Sequence, residues 1–529
     1  MKAEPEPWII QAMREASFYD HPVATVELIE THISWIFLAG DNAYKVKKPV
    51  NFGFLDFSTL AKRQHYCHEE LRLNRRFAPQ LYLTVKQIGG SRNAPALDKD
   101  PALEYAVKMR RFPQNQQLDR MLLDNQLQLR HITKFATKIA ELHKLAVSEK
   151  AGQTYGSPRS IIDPMLENFE QIRPHIKESD ANKQLAKLEQ WTHNAFEDLK
   201  PALRQRKKDG FIRECHGDIH LANMAWLDDK PLLFDCIEFN ENLRWIDVIS
   251  DIAFLVMDLD DRNESGLGWH FCNHYLQTTG DYQGLSLLNF YKVYRAMVRA
   301  KVTCLRLVQG HLNEIQQSEA EELFQGYLDL AERYTLPKAT PLIITHGLSG
   351  SGKTTFTSEL ATIYGGVQIR SDVERKRLHG IAATAKSGSP VADGIYSKQA
   401  FADTYARLQD IARMALRSGS PAIVDATFIK QNQRELFSRL AEKLQVQLTI
   451  LDFPLSKETL RRRIKQRILG KTADASEATL EVLDYQLKHE DPLTRVEERF
   501  AIRVSPDTTA ETIAASLPNQ IVHGHSEKG

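Results

Sequence analysis

Two stretches of this 529-residue chain carry residue types whose spacing suits phosphate chemistry. The string GLSGSGKTT, from Gly347 to Thr355, matches G-x-x-x-x-G-K-[ST] at every fixed position. Gly347, Gly350 and Gly352 let the loop curl so that successive backbone N–H groups, with those of Ser349 and Ser351 among them, face phosphate oxygens. Lys353 then reaches the outer phosphates, the Thr354 hydroxyl can hold Mg²⁺, and Thr355 completes the cradle. The second stretch, HGDIHLANMAWLDDKPLLFDCIEFN from His216 to Asn240, sets Asp218 and Asn223 five positions apart on a loop and ends a short apolar strand at Asp235. Phosphoryl transfer from ATP needs a carboxylate to accept or orient the nucleophile's proton, and oxygen ligands for the magnesium that neutralises the phosphates. Asp218, Asn223 and Asp235 supply that set.

These residues need elements to hold them. The apolar run LIIT before Gly347 reads as a strand and FTSELATIY after it as a helix, which is the context the phosphate loop requires. Further strands (VQIR, AIVD, QLTILDF, FAIRV) alternate with helical segments, so the C-terminal part reads as an α/β domain with a parallel sheet. Near the N-terminus, THISWIFLAG, NAYKVKKPV, LYLTVKQI and EYAVKMRRF read as strands of a mixed sheet, with a helix over KRQHYCHEELRLNRRF between them. Helical spacing follows from Leu129 to Leu145 and from Ile161 to Leu199. The polar, Pro-containing stretch 331–340 reads as a linker between a first domain at 1–330 and a second at 341–518, and 519–529 as a loose tail.

Composition narrows the classes. A formal net charge of +1 supplies no global field for nucleic acid or an acidic membrane, and no apolar run approaches a membrane span. The odd number of cysteines, five, without C-x-x-C spacing points to reduced thiols rather than a disulfide framework or zinc site. An acidic, Pro-containing start does not read as a signal peptide, so a cytoplasmic protein is expected.

The string H-G-D-x-H-x-x-N followed by Asp235 resembles aminoglycoside phosphotransferases and choline-kinase-like enzymes, which share the protein-kinase fold. The resemblance runs over about residues 30 to 325 and implies an α+β, bilobal kinase-like domain. It implies Asp218 as catalytic base and Asn223 and Asp235 as magnesium ligands, with His216 bracing the loop. It also implies a strand lysine paired with a helix glutamate at the ATP site. AYKVKK offers Lys45 and Lys47 on one face of a strand; the apolar-x-apolar-Lys register favours Lys47, paired with Glu70, while Lys45 and Glu69 stay open as alternatives. Glu238 is either a supporting or a structural residue. Asp247 and Asp251, four apart and so on one helix face, are assigned structural roles.

In the second domain, Asp425 ends the strand PAIVD at the Walker-B position, Asp372 follows VQIR, and Arg463 and Arg467 stand four apart on one helical face where they could cover ATP. These features resemble small P-loop kinases: the kinase half of polynucleotide kinase, gluconate kinase, chloramphenicol phosphotransferase, zeta-type toxins and related AAA-type domains. In such relatives an Asp at the position of Asp372 activates the acceptor hydroxyl. The expected protein is therefore a two-site phosphotransferase using ATP and Mg²⁺ on small-molecule hydroxyls, with nucleic acid and membrane partners disfavoured. Two alternatives are a P-loop half that phosphorylates nucleic-acid 5′-hydroxyls beside an accessory first domain, and an ATP-sensing interaction protein without turnover.

Overall fold

The computed structural model describes residues 7–53, 55–149, 155–176, 180–308, 312–383, 385, 393–469 and 477–518. The tail from Asn519 onward lies outside the described residues. The chain divides into two compact units, one built from 1–164 and 200–258, the other from 165–199 and 259–529.

In the first unit, alternating apolar residues produce a six-stranded sheet from β1 (Val26–Glu30), β2 (Ser34–Ala39), β3 (Asn42–Lys47), β4 (Tyr82–Ser91), β5 (Ala94–Leu97) and β6 (Ala102–Arg110), in the order β1-β2-β3-β6-β4-β5. The sequence predicts a mixed sheet, but every neighbouring pair is antiparallel. Tight reversals such as those joining β1, β2 and β3 cannot make parallel neighbours, which need a long crossover. Period two sends Trp35, Phe37, Tyr44 and Val46 into a core shared with Ile9, Ile10 and Met13 of the helix Trp8–Arg14. Lys45 and Lys47 consequently emerge on the other face. There the helix Leu60–Asn74, started by a bond from the Lys62 N–H to the Thr59 hydroxyl, buries Cys67, Glu70, Leu73 and Asn74 along one side.

Further along the same unit, β7 (Ile212–Glu214) pairs with β10 (Trp245–Asp247), and β8 (Met224–Leu227) with β9 (Lys230–Leu233), both antiparallel. These two ribbons hold the ends of the loops that carry Asp218, Asn223 and Asp235. Asp247 lies in β10 and only Asp251 in the helix Val248–Asp261, so the two do not share a helix face as the four-residue spacing suggested.

The second unit contains a parallel sheet of β11 (Leu342–His346), β12 (Val367–Arg370), β13 (Ala422–Asp425), β14 (Leu448–Asp452) and β15 (Ala501–Arg503), ordered β12-β13-β11-β14-β15. All five residues of β11 are buried, and Ile343, Ile423 and Leu451 join Leu360 and Phe453 in the core. The phosphate-loop motif links β11 to the helix Lys353–Leu360. Part of the stretch read as a linker is helix: Glu314–Thr335 continues into it, with Ala331 and Tyr334 buried. Its polar residues are the outward face of that helix, and its two inward positions are too few to signal periodicity. The helices of 259–330 fall in the same unit as the parallel sheet, because Ser265–Thr279 hydrogen-bonds to β12.

Among the described residues no helix is long and apolar enough to cross a membrane. All five cysteines are buried and unpaired with one another.

Candidate functional site

In the first unit, β3 and the helix Leu60–Asn74 bring two lysines against Glu70. Lys45 Nζ lies 2.9 Å from Glu70 Oε1 and 2.5 Å from Asp235 Oδ1. Lys47 Nζ lies 2.6 Å from Glu70 Oε2 and donates also to Glu238. The sequence register favoured Lys47, and it does pair with Glu70, but its side chain is 0% exposed and enclosed by two carboxylates. Lys45 instead joins the glutamate to Asp235, whose side chain is 46% exposed. Two positions on one face diverge because Lys47 is the deeper of the two along the strand. Glu69 points outward to Arg72 at 2.9 Å, which leaves Glu70 as the inner partner.

The charges settle accordingly. Burial alone would raise the Glu70 carboxyl, but two ammonium groups bring it down to about 2. Burial would lower Lys45, yet Asp235, Glu70 and Glu238 hold it well above its usual range. Glu238 is pushed up by burial, with one lysine in contact and Glu70 nearby as a like charge.

The loop around Asp218 is braced from beneath. Asp251 accepts the His216 N–H at 3.1 Å and the Gly217 N–H at 2.7 Å, and His143 Nε2 lies 3.1 Å from it. Gly217 has φ +88°, and a Cβ there would sit 2.7 Å from the Leu243 carbonyl oxygen, so the turn requires glycine. His216 is buried; its Nε2 reaches the Phe234 carbonyl at 3.0 Å, and its Nδ1 accepts the Asp218 N–H at 3.3 Å. That is the pattern of one neutral tautomer, and burial lowers its pKa. His216 thus ties the Asp218 loop to the Asp235 segment. Asn223 donates its amide to the Asp218 carboxylate at 2.9 Å and to its carbonyl at 3.1 Å, which leaves the amide oxygen for a cation. Asp235 has φ +63°, and its N–H donates to the Tyr82 hydroxyl. A carboxylate and an amide oxygen are hard donors of the kind Mg²⁺ takes, so the residues fit that ion.

In the second unit, a cavity of about 350 Å³ is lined by Ser349, Gly350, Gly352, Lys353, Thr354, Thr355, Asp372, Asp425, Arg463 and Arg467, all expected from the sequence. Gly347 and Ser351 do not line it. A Cβ on Gly347, at φ +144°, would meet Phe453 at 3.1 Å, so this glycine serves close packing. The Ser351 hydroxyl accepts from Lys353 Nζ at 3.1 Å, and the Leu348 carbonyl does so at 2.7 Å. Burial lowers the Lys353 ammonium to about 8 despite Asp425 and Asp372. Burial also raises Asp425, opposed by Arg370 at 4.0 Å and by a hydrogen bond from Thr354. Thr354 and Asp425 are oxygen donors side by side, which fits Mg²⁺. Arg463 donates to the Ser351 carbonyl at 3.1 Å, and Arg467 to that of Ala478 at 2.7 Å.

Sequence reasoning missed several residues on this wall. Arg370 is the first residue of the motif RSD and Arg375 lies one turn past Asp372, 3.3 Å from it; their spacing was the available signal. Gln486, whose side-chain oxygen accepts the Ser349 N–H at 2.9 Å, comes from a separate helix, Leu480–His489, and carried none. A second cavity, of about 800 Å³, shares Tyr396, Phe401, Thr427, Val482 and Gln486 with the first.

Comparison with known proteins finds two matched regions, the first of which runs across both compact units. Residues 46–288 match the phosphotransferase enzyme family, and residues 342–493 match an AAA domain. Proteins of Mycobacterium tuberculosis and Mycobacterium bovis, both described as uncharacterized, are 30% identical over 408 residues, 77% of this chain and 79% of theirs. Among solved structures, an ethanolamine kinase of Plasmodium vivax covers 59% of this chain and 82% of its own at 10% identity and a TM-score of 0.38. A gluconokinase of Sinorhizobium meliloti covers 34% of this chain and 89% of its own at 20% identity and a TM-score of 0.24. The chain belongs to the family of these mycobacterial proteins, with a region that matches the phosphotransferase enzyme family followed by one that matches an AAA domain.

Proposed function

We propose that the chain transfers the γ-phosphoryl group of ATP to hydroxyls of small-molecule acceptors in its first region, and that its P-loop region binds and uses a second ATP. The observation that carries the first site is the convergence of Lys45, Glu70 and Asp235 on one side and of Asp218 and Asn223 on the other, all within one compact unit. Lys45, fixed by Glu70, is the group for the outer phosphates, a post the sequence register assigned to Lys47. Asn223 and Asp235 would hold Mg²⁺, which supplies charge neutralisation of the triphosphate. Asp218 orients the acceptor hydroxyl and takes its proton as the oxygen bonds to the γ-phosphorus and ADP leaves.

For the second site, the support is the lining of the smaller cavity. Lys353, Arg463 and Arg467 are cations for the phosphates, Thr354 and Asp425 are magnesium donors, and Asp372 is the carboxylate for an acceptor. The larger adjoining cavity has room for that acceptor. Buried, unpaired cysteines fit a reducing cytoplasm.

The test is a metabolite extract incubated with ATP and Mg²⁺ and read by mass spectrometry. Wild type should yield phosphorylated products that Asp218→Asn depresses by about 10²–10⁴-fold, the range of a lost general base. A product profile unaltered by Asp218→Asn would sink the reading of the first site.

A further inference from the structure

The P-loop sheet has an edge strand, β12, whose outer side is completed by side chains rather than by another strand. Asn273, on the helix Ser265–Thr279, donates its amide N–H to the Gly366 carbonyl at 2.9 Å and accepts the Gln368 N–H at 2.8 Å. One side-chain amide thereby copies the donor and acceptor pair of a neighbouring strand. Asn273 is buried, as a polar group can be when both its ends are satisfied. One turn on, Gln277 Nε2 donates to Gln368 Oε1 at 3.1 Å.

Gln368 passes this contact inward. Its side-chain nitrogen donates to the Thr357 hydroxyl at 2.9 Å and to the Thr354 carbonyl at 3.2 Å, both in the first turns of the phosphate-loop helix. Thr357 is fully buried and also donates to the Lys353 carbonyl at 2.9 Å. Each path from the helix to the backbone of Lys353 and Thr354 therefore runs through at most three side chains, with donor–acceptor distances between 2.8 and 3.2 Å.

The docking is close at both ends of the helix. A Cβ on Gly266 would come within 3.2 Å of the Thr362 carbonyl oxygen. At the other end Gly280, at φ +76°, lies under the Arg377 guanidinium, which donates to the Gln277 carbonyl. Arg377 belongs to the helix Ser371–Leu378 that carries Asp372.

We propose that Asn273 and Gln277 are positioning residues for the nucleotide site of the P-loop region, acting through Gln368 on the backbone of Lys353 and Thr354. The helix that supplies them lies within 46–288, the stretch matched by the phosphotransferase family. The P-loop site is then incomplete without a piece of the neighbouring region, and the fusion of the two is functional. This rests on the reading that the P-loop region binds ATP.

Hydrogen–deuterium exchange of the full chain, with and without ATP and Mg²⁺, tests it peptide by peptide. In wild type, ATP should slow exchange over 347–357 and also over 366–370 and 265–279. Asn273→Ala should weaken ATP protection of 347–357 by about 5- to 10-fold in required ATP concentration and abolish its spread to 265–279, because two net hydrogen bonds are lost. Gln277→Ala, at a half-buried position that tolerates truncation, should weaken it about 2- to 3-fold and serves if the first variant does not fold. Asp218→Asn should leave the pattern at 347–357 unchanged. Protection in wild type that both variants leave intact overturns the positioning role alone. If wild type shows no ATP protection at 347–357, the nucleotide-site reading fails and this inference falls with it.

Discussion

The two candidate sites are built by opposite strategies. In the P-loop region one contiguous stretch, Ser349 to Thr355, brings six residues to the wall of the smaller cavity, and the glycines at 350 and 352 adopt φ of +86° and +95° to turn backbone groups toward a ligand. Among the described residues of the first unit there is no stretch of that kind. The site is a mesh of side chains from β3, the helix Leu60–Asn74 and two loops, with Lys45 and Asp235 separated by 190 residues in sequence. The first arrangement presents backbone dipoles, one lysine and the arginines at 463 and 467, the second mutually neutralising charges.

The largest expected effects separate the two sites. Lys353→Ala should depress ATP use by the P-loop region by about 10²–10³-fold, as loss of one preorganised donor does, while leaving products that depend on Asp218 at their wild-type level. Lys45→Ala should do the reverse. Product profiling of both variants checks this, and one substitution silencing both sets would erase the independence of the two sites.

Next comes stability. Lys47→Ala leaves Glu238 buried without its contacting ammonium and Glu70 with Lys45 alone, and should cost about 3–5 kcal/mol in urea unfolding of the first unit. Lys45→Ala should cost less, since Asp235 is nearly half exposed and water can hydrate it. Equal losses from the two would contradict the division into a structural and a phosphate-facing lysine.

A smaller, pH-dependent effect belongs to the same mesh. Glu70 is held near 2 in the folded chain, below its ordinary 4.5. A lowered carboxylate pKa contributes stability that is present above the unfolded value and disappears as pH falls from about 4.5 through about 2. Thermal melts across that window should show the loss, and Glu70→Gln should flatten it. Smallest of all, Arg463→Ala should raise the ATP concentration needed by the P-loop region only a few-fold, the worth of about 1 kcal/mol. A loss as large as that of Lys353→Ala would make Arg463 part of the cradle itself.

Legibility in the sequence followed the same contrast. The strands of the parallel sheet could be read from short apolar runs, four of them buried almost throughout and β15 partly exposed at the edge, and the phosphate loop because its residues are neighbours in the chain. Asp218, Asn223 and Asp235 were legible for the same reason, lying within one segment. The choice between Lys45 and Lys47 was not, because period two gives both the same face and only the position of Glu238 and Asp235 across the fold separates them. Gln486 and Asn273 carried no signal at all, since each reaches the P-loop region from another helix through a single amide.

Local chemistry therefore determined from the sequence alone that this chain handles phosphate: the loop glycines, Lys353 and the ordered acids around Asp218 are short-range patterns set by backbone reach. Tertiary structure decided which lysine reaches Asp235, that the first sheet is antiparallel throughout, and that the helix Ser265–Thr279 completes the edge of the P-loop sheet. Those outcomes depend on burial and on hydrogen bonds between residues tens to hundreds of positions apart, and such distances leave no period or spacing in a sequence.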